Sequence, residues 1–301
     1  MRRGCLPTSN PERTAVEPII DTHQHLWDLN RFRLPWIEPG SRLARGHVME
    51  DYLRETEGMN VAGTVYMEVD VAPDQQQEEA EYVIDLCRRP DNPMRGAVIS
   101  GRPAEAGFDS YIRRITELDD GGFIKGVRQV LHGGMPAGFC LQPEFVRSIR
   151  LLGELGLSFD ACIRPEEIGD AARLAEACPE TQLVLDHCGN ADVQSPDLSA
   201  WRRGIDDLAK RPNVDCKISG IIVTAKPGAW SADDLAPVVL HCAEAFGPDR
   251  IVFGGDWPVC TLTAPLRDWI TALRQIVADW PDERRTKLLH DNALRIYRLA
   301  T

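Results

Sequence analysis

Two histidines with one residue between them, His23 and His25, follow the first apolar stretch of the chain, which reads IIDTHQH. Alternate residues of an extended strand point to the same side, so both imidazoles can ligate one metal ion or polarise one carbonyl group. A pair of hydrogen-bonded structural histidines is the alternative interpretation. The motif predicts a catalytic or metal site at the end of a strand.

Two further polar residues, His187 and Asp256, follow the later apolar stretches LVLD and IVFGG. A carboxylate at the end of a buried strand is partly desolvated and can act as a base near neutral pH, which we expect of Asp256. We expect His187 to donate a proton or to hold a water molecule. The alternatives are an N-cap role for Asp256 and a purely structural role for His187.

Arg128 and Lys217 are cations within otherwise apolar strands. Burying a charge without a counter-charge is costly, so these side chains must face a carboxylate or an anionic transition state. We expect both to hold hydroxyl or carboxylate groups of a substrate. An internal ion pair, for instance with Asp160 or Glu68, is the alternative interpretation.

Tryptophans flank the two main motifs, since Trp27 follows His25 closely and Trp257 follows Asp256 directly. We expect both rings to wall a substrate pocket. The intervening loop of residues 27–46 is long and carries further aromatic and basic side chains, which makes it a candidate lid over the pocket. The sequence leaves open whether the loop acts in this way.

Eight short β-rich stretches alternate with amphipathic helical patterns along the chain. Their starts are spaced by about 33 residues on average, the size of one strand–helix–strand repeat. This alternation predicts an α/β fold, a (β/α)8 TIM barrel, with its active site at the carboxyl ends of the strands. A doubly wound open sheet is the runner-up, but the glycine-rich phosphate loop that it needs does not follow the first strand. The predicted strands are Ile19–Thr22, Gly63–Val69, Arg95–Ile99, Ile124–Val130, Ser158–Ile163, Gln182–Asp186, Val214–Ser219 and Ile251–Gly254.

The composition restricts the kinds of partner. The 301 residues include 34 Lys and Arg against 46 Asp and Glu, and the net charge of −12 disfavours nucleic acids and anionic membrane surfaces. No apolar run approaches the roughly 20 residues that cross a bilayer. Residues 1–18 lack the apolar segment of a secretory signal, and we expect them to form a flexible arm before a single domain at 19–301.

The nine cysteines are scattered along the chain and form no Cys-x-x-Cys pair. This spacing argues against a zinc ribbon and against a thioredoxin-type redox site. Cys162 and Cys216 lie inside apolar runs, where a thiol behaves as a small buried hydrophobe. We therefore expect reduced thiols in a cytoplasmic protein.

The ordered segments of the chain resemble the amidohydrolase superfamily, in particular the branch with L-fuconolactonase-like and L-rhamnonolactonase-like sugar lactonases and pyrone-dicarboxylate lactonase. The resemblance extends from residue 19 to residue 297. It implies that Asp256 activates the hydrolytic water, that the three histidines surround the scissile carbonyl, and that Arg128 binds substrate. The segments that carry it are IIDTHQHLWD, IKGVRQVLHG, LLGELGLSFDACIRPEE, LVLDHCGN, VDCKISG, IVFGGDWPVC and DNALRIY.

The resemblance also bears on the metal content. Metal-rich members of the superfamily add a lysine or glutamate on the fourth strand and a histidine on the fifth, whereas this chain has Arg128 and no histidine in 158–163. We therefore expect no second metal site. One divalent ion, zinc, held by His23, His25 and Asp256 remains open, and so does metal-free hydrolysis, because a lactone is an activated ester.

These observations predict a hydrolase of carboxylic esters that opens a small-molecule lactone, such as an aldonolactone, to the hydroxy acid. A non-oxidative decarboxylase, or another amidohydrolase-type enzyme that cleaves C–O or C–N bonds, is the enzymatic alternative. The missing histidine on the fifth strand counts against the decarboxylase. A barrel that binds a sugar acid without catalysis is the alternative from another class. The oligomeric state and the particular lactone are left open.

Overall fold

The computed structural model describes residues 17–300, and within that range eight parallel strands pair in sequence order. The predicted (β/α)8 barrel is confirmed, whereas residues 1–16 of the predicted arm lie outside the described residues. The strands are β1 Ile19–Gln24, β2 Val61–Met67, β3 Met94–Ser100, β4 Ile124–Val130, β5 Ser158–Cys162, β6 Leu183–Leu185, β7 Val214–Ile218 and β8 Ile251–Phe253.

Each observed strand overlaps its predicted stretch, and the differences lie at the ends. β1 continues to Gln24, which places His23 within the strand and His25 directly after it. The strands are nearly continuous apolar runs because helices cover one face of a parallel barrel and its interior the other. Every residue of β5 and β7 is accordingly buried, including the ionisable ones.

The barrel closes where the chain after β8 meets the end of β1. The backbone N–H of Asp256 donates to the carbonyl oxygen of His23 at 2.8 Å, and the N–H of His25 donates to the carbonyl oxygen of Trp257 at 2.8 Å. These two hydrogen bonds bring the first and last polar motifs of the sequence side by side.

Helices surround the strands and bury their apolar faces against them. Among the described residues, no helix has the length and apolar character needed to cross a membrane. A π-helical turn, Lys287–Asp291, joins the last two helices. The helices are α1 Met49–Glu55, α2 Gln76–Arg88, α3 Phe108–Leu118, α4 Pro143–Glu154, α5 Ile168–Ala177, α6 Ser199–Leu208, α7 Ala232–Ala245, α8 Leu266–Ile276, α9 Asp282–Thr286 and α10 Asn292–Ile296.

The barrel interior has a separate small apolar core, closed from below by the chain that follows β8. Lys125, near the start of β4, donates to the carbonyl oxygen of Arg298 at 3.2 Å, which locates this segment at the amino-terminal end of the barrel. The core thereby separates the bottom of the barrel from the polar groups above it. Its members are Ile20, Val65, Met67, Val98, Val184, Val252, Ala293, Ile296, Tyr297 and Leu299.

Candidate active site

A cavity of about 540 Å³ opens at the carboxyl ends of the strands, the end at which barrel enzymes carry their active sites. Its lining combines ionisable side chains with apolar ones. The ionisable residues are His25, Asp70, Arg128, His132, Cys162, His187 and Asp256, and the large apolar ones are Trp36, Val69, Val130, Val223 and Val259.

Four of the eight site residues expected from the sequence line this cavity: His25, Arg128, His187 and Asp256. The other four do not line it and are at most 3% exposed; they are His23, Lys217, Trp27 and Trp257. The structure therefore divides the expected residues into a group that borders the cavity and a group that is buried away from it.

His25 and Asp256 form the closest pair of functional groups on the cavity. His25 Nδ1 lies 3.0 Å from the carbonyl oxygen of Met67, and since a carbonyl only accepts, this nitrogen carries the proton. The other ring nitrogen, Nε2, lies 3.3 Å from Asp256 Oδ1. At this distance a proton or a metal cation can lie between the two atoms, and a water molecule can bridge them.

His23 lies below this pair and is fully buried. Its Nε2 is 3.0 Å from Arg128 Nη1, and its Nδ1 is 3.5 Å from Asp186 Oδ1. Because a guanidinium only donates, Nε2 carries the lone pair and Nδ1 the proton, which faces Asp186 although the Lys217 ammonium lies 3.3 Å from the same nitrogen. Burial, together with the nearby Lys217 ammonium, lowers the pKa of His23 well below its usual value, so the ring is neutral.

Lys217 was expected to hold a substrate, and the structure places it elsewhere. Its Nζ lies 2.7 Å from Asp160 Oδ2 and 2.9 Å from Asp186 Oδ1, and its side chain is completely buried. Tyr297 donates to the same Asp160 oxygen at 2.6 Å. Burial alone would lower the pKa of Lys217, but the two carboxylates hold it above its usual value. The ammonium is therefore committed to an internal ion network, the alternative interpretation of this residue.

Arg128 belongs to the same network but also reaches the cavity. Its Nε donates to Glu68 Oε1 at 2.7 Å, and its Nη1 lies 3.3 Å from Asp186 Oδ2. Burial alone would raise the pKa of Asp186, but Lys217 and His23 hold that pKa well below its usual range. Asp186, which the sequence analysis did not single out, is thus the ionised carboxylate that joins both cations beneath the cavity.

His187 enters the cavity from an unusual backbone segment, the left-handed turn His187–Asn190. The φ angles of its three non-glycine residues, His187, Cys188 and Asn190, are all 53°. Each such residue costs on the order of 1–2 kcal/mol, so the surroundings must hold the turn in place. Asn190 Nδ2 donates to the Ile163 carbonyl oxygen at 2.7 Å, which fixes one end of the turn.

The two residues that follow β7, Ser219 and Gly220, hold the His187 ring in place. Ser219 Oγ lies 2.9 Å from His187 Nδ1 and accepts the backbone N–H of His187 at 3.3 Å. Gly220 has φ +65°, and a Cβ added there would lie 2.2 Å from His187 Nδ1. The sequence Ser219-Gly220 therefore positions the imidazole, one residue through its hydroxyl and the other by lacking a side chain.

Protonation of His187 is predicted to be suppressed in the folded protein. Burial lowers the pKa of this imidazole from 6.5 to about 4, so between these pH values the unfolded chain binds a proton that the folded chain does not. The stabilising contribution is therefore complete above pH 6.5 and is lost as the pH falls towards 4. We expect a ring-proton NMR titration of His187 with its midpoint near 4.

The same titration has a thermodynamic counterpart. The free energy of unfolding should decrease less steeply with falling pH in His187→Gln than in the parent protein, since the substituted side chain does not titrate. A His187 titration midpoint near 6.5, with the same pH dependence of unfolding in both proteins, would contradict this prediction.

The two expected pocket tryptophans pack away from the cavity. Both rings pack edge-on against His47, whose ring centroid lies 4.9 Å from that of Trp27 and 5.5 Å from that of Trp257. Trp36, from the same long loop, lines the cavity instead, and its Nε1 donates to the Val69 carbonyl oxygen at 2.8 Å. The loop of residues 27–46 thus does contribute a wall of the pocket, through a different tryptophan.

A second carboxylate on the cavity, Asp70, was visible in the sequence only as a polar residue after the second strand. Its Oδ1 accepts from Arg102 at 2.6 Å, and its backbone N–H donates to Glu68 Oε2 at 2.6 Å. His132, which follows β4, also lines the cavity. Position at the carboxyl end of a strand is the signal that identifies both residues.

The positions of His23, His25 and Asp256 show whether these residues could bind one metal ion. Nitrogen and oxygen atoms of His23, His25 and Asp256 lie within 4.8 Å of one another. His25 has the arrangement typical of a metal ligand, since its other nitrogen donates to a backbone carbonyl. The residues present therefore fit one ion, although Arg128 Nη1 must withdraw from His23 Nε2 for that nitrogen to bind it.

Comparison with known proteins gives a consistent set of similarities. The Amidohydrolase family model matches residues 20–299. The L-fucono-1,5-lactonase of Burkholderia multivorans is 26% identical over 93% of this chain and 96% of its own length, and the L-rhamnono-gamma-lactonase of Scheffersomyces stipitis is 22% identical over 93% and 98%. A crystal structure of a Burkholderia multivorans amidohydrolase with bound zinc superposes with a TM-score of 0.83 at 24% identity, covering 94% of this chain and 100% of that one.

Proposed function

Since this chain belongs to the amidohydrolase family, we propose that it hydrolyses the lactone of a sugar acid to the open-chain hydroxy acid. The observation that carries the proposal is the pairing of Asp256 with His25 on the cavity, 3.3 Å apart. Similar proteins that span nearly the same length are named L-fucono-1,5-lactonase and L-rhamnono-gamma-lactonase, which supports an ester hydrolase of this kind.

Asp256 is the base of the proposed reaction. A water molecule between its carboxylate and His25 transfers a proton to Asp256 as the water oxygen bonds to the lactone carbonyl carbon. The bond between that carbon and the ring oxygen then breaks, and the proton passes from Asp256 to the leaving ring oxygen. The sum is the addition of one water molecule to the lactone, followed by ionisation of the acid.

The negative charge that develops on the carbonyl oxygen needs a fixed positive partner. Arg128 is a cation on the cavity lining, held by Glu68 and Asp186, so it does not have to reorganise during the reaction. His187 is neutral near pH 7 and borders the same space, where it can orient the attacking water. His23 acts through these groups as a positioning residue.

A divalent ion is compatible with this assignment. His23, His25 and Asp256 would hold it, and when bound it supplies a Lewis acid for the carbonyl or lowers the pKa of a bound water. The similar Burkholderia multivorans amidohydrolase contains zinc. We also propose a cytoplasmic location, because the eight cysteines described are all free and buried, as is usual in a reducing compartment.

The charge balance of the cavity favours neutral substrates. Arg128 is matched by Glu68 and Asp186 and, in the proposed reaction, faces the lactone carbonyl oxygen, while Arg102 is bound to Asp70, so neither guanidinium is left for a separate substrate carboxylate. We expect neutral aldonolactones to be hydrolysed with a kcat/KM at least about tenfold above that of lactones carrying a carboxylate or sulfonate, a difference of about 1.4 kcal/mol.

A panel of neutral and anionic lactones in a pH-stat tests both the reaction and this preference. Acid release without CO2 supports lactone hydrolysis, whereas CO2 release from aromatic acids would indicate the decarboxylase. Thermal stabilisation by sugar acids, with no turnover of any panel member, would indicate a binding protein. Preference for anionic lactones would contradict the charge argument while leaving the reaction type intact.

A further inference from the structure

Three cysteines from separate parts of the chain converge behind the wall of the active-site cavity. Cys188 belongs to the left-handed turn, Cys216 to β7 and Cys242 to α7. Their sulfur atoms lie within 4.8 Å of one another, and all three residues are 0% exposed. The proposed reaction uses none of these thiols.

The spacing of the sulfurs is close to that of a metal-binding set. Three sulfurs bonded to one ion at about 2.3 Å lie about 4 Å from each other, so the trio needs to contract by less than about 1 Å. Within residues 17–300, no fourth histidine, cysteine or carboxylate belongs to this cluster. Zinc prefers four ligands in a structural site, whereas three thiol donors without a fourth suit copper(I), a soft monovalent ion.

The surroundings favour a charged sulfur at Cys188. Burial raises the pKa of the Cys188 thiol, but the neighbouring thiols of Cys216 and Cys242 and the backbone N–H of Ser219 together lower it below its usual value. Cys188 Sγ also lies 3.7 Å from the Lys217 carbonyl oxygen, to which only the protonated thiol donates, so that contact is given up when the ion binds. Metal ions bind thiolates, so copper(I) displaces the protons of Cys216 and Cys242 to solvent.

We propose that Cys188, Cys216 and Cys242 form a buried three-sulfur site for copper(I). The site lies directly behind the cavity, since Cys188 follows His187 in the chain and Ser219 contacts both residues. The inference does not rest on the proposed lactone hydrolysis, because it concerns thiols that the reaction leaves untouched.

The test is an anaerobic titration of the reduced, metal-free protein with copper(I), in competition with the chromophoric chelator bicinchoninate. We expect one high-affinity copper(I) per chain, accompanied by a sulfur-to-copper charge-transfer band in the ultraviolet. Cys242→Ala should weaken copper(I) binding by more than about 100-fold. Loss of a residue that only hydrogen-bonds to a metal ligand costs up to about 100-fold in affinity, and loss of a ligand itself should cost more. Cys87→Ala, which removes a buried cysteine on α2 outside the cluster, is the matched control and should bind as the parent does.

Circular dichroism and melting curves establish that each variant is folded, and Cys216→Ala repeats the test from a different element. The proposal is overturned if the parent protein binds copper(I) no more tightly than folded Cys242→Ala and Cys216→Ala do. It is equally overturned if Cys87→Ala loses as much affinity, or if the cluster takes up zinc and not copper(I). None of these readouts depends on catalytic activity.

Discussion

Replacing Asp256 with asparagine is expected to lower kcat for lactone hydrolysis by about 10²–10⁴-fold and to leave the protein folded. Asparagine has nearly the same shape as aspartate but cannot accept a proton from the attacking water. The backbone at Asp256 has φ 57°, a left-handed conformation that asparagine tolerates better than most residues. An alanine at this position would add backbone strain to the loss of the base, so the amide is the cleaner substitution.

Asp70→Asn is the matched control for this experiment. Asp70 lines the same cavity and also has a left-handed backbone, with φ 49°, but its carboxylate is bound to Arg102. We expect Asp70→Asn to change KM more than kcat. Steady-state kinetics on one lactone from the pH-stat panel compare the two variants directly. A nearly unchanged kcat in Asp256→Asn, or an equal fall in both variants, would rule out Asp256 as the base.

The second large effect concerns stability. Lys217→Met should reduce the free energy of unfolding by about 3–5 kcal/mol, because it leaves the buried carboxylate of Asp160 without a cation and Asp186 with Arg128 alone. Methionine fills a similar volume, so the loss is electrostatic and not due to a cavity. Urea denaturation monitored by circular dichroism measures the change.

A double variant separates the ion network from other causes. Adding Asp160→Asn to Lys217→Met removes the carboxylate that has lost its cation, and we expect it to recover part of the lost stability. Under the earlier interpretation of Lys217 as a substrate ligand, Lys217→Met would instead keep its stability and raise KM. That outcome would contradict the internal network described here.

The sequence predicts the barrel well because each strand is an apolar run followed by polar residues, and this pattern is local. His25, His187 and Asp256 are found by the same rule, since they follow strands whose carboxyl ends meet. The roles of His23 and Lys217 are harder to predict. Both depend on which side chains face each other across the barrel interior, and that is set by strand register and not by spacing along the chain.

The tryptophans and the left-handed turn show two other limits. The residues of the loop 27–46 have no periodic pattern, so nothing in the sequence distinguishes the buried Trp27 from Trp36, which lines the cavity. The turn His187–Asn190 contains a single glycine, although all four residues have positive φ. Tertiary contacts impose this conformation against the preferences of the residues themselves.

The hydrogen bond between Tyr297 and Asp160 has a consequence for the order of events during synthesis. Tyr297 follows all eight strands in the chain, so the tyrosine reaches the ribosome exit only after every strand has emerged. Until then Asp160 and Lys217 lack part of their enclosure, and water can enter the barrel from below. The ion network beneath the active site, whose neighbouring histidine His23 is made early, is therefore completed only after Tyr297 has left the ribosome.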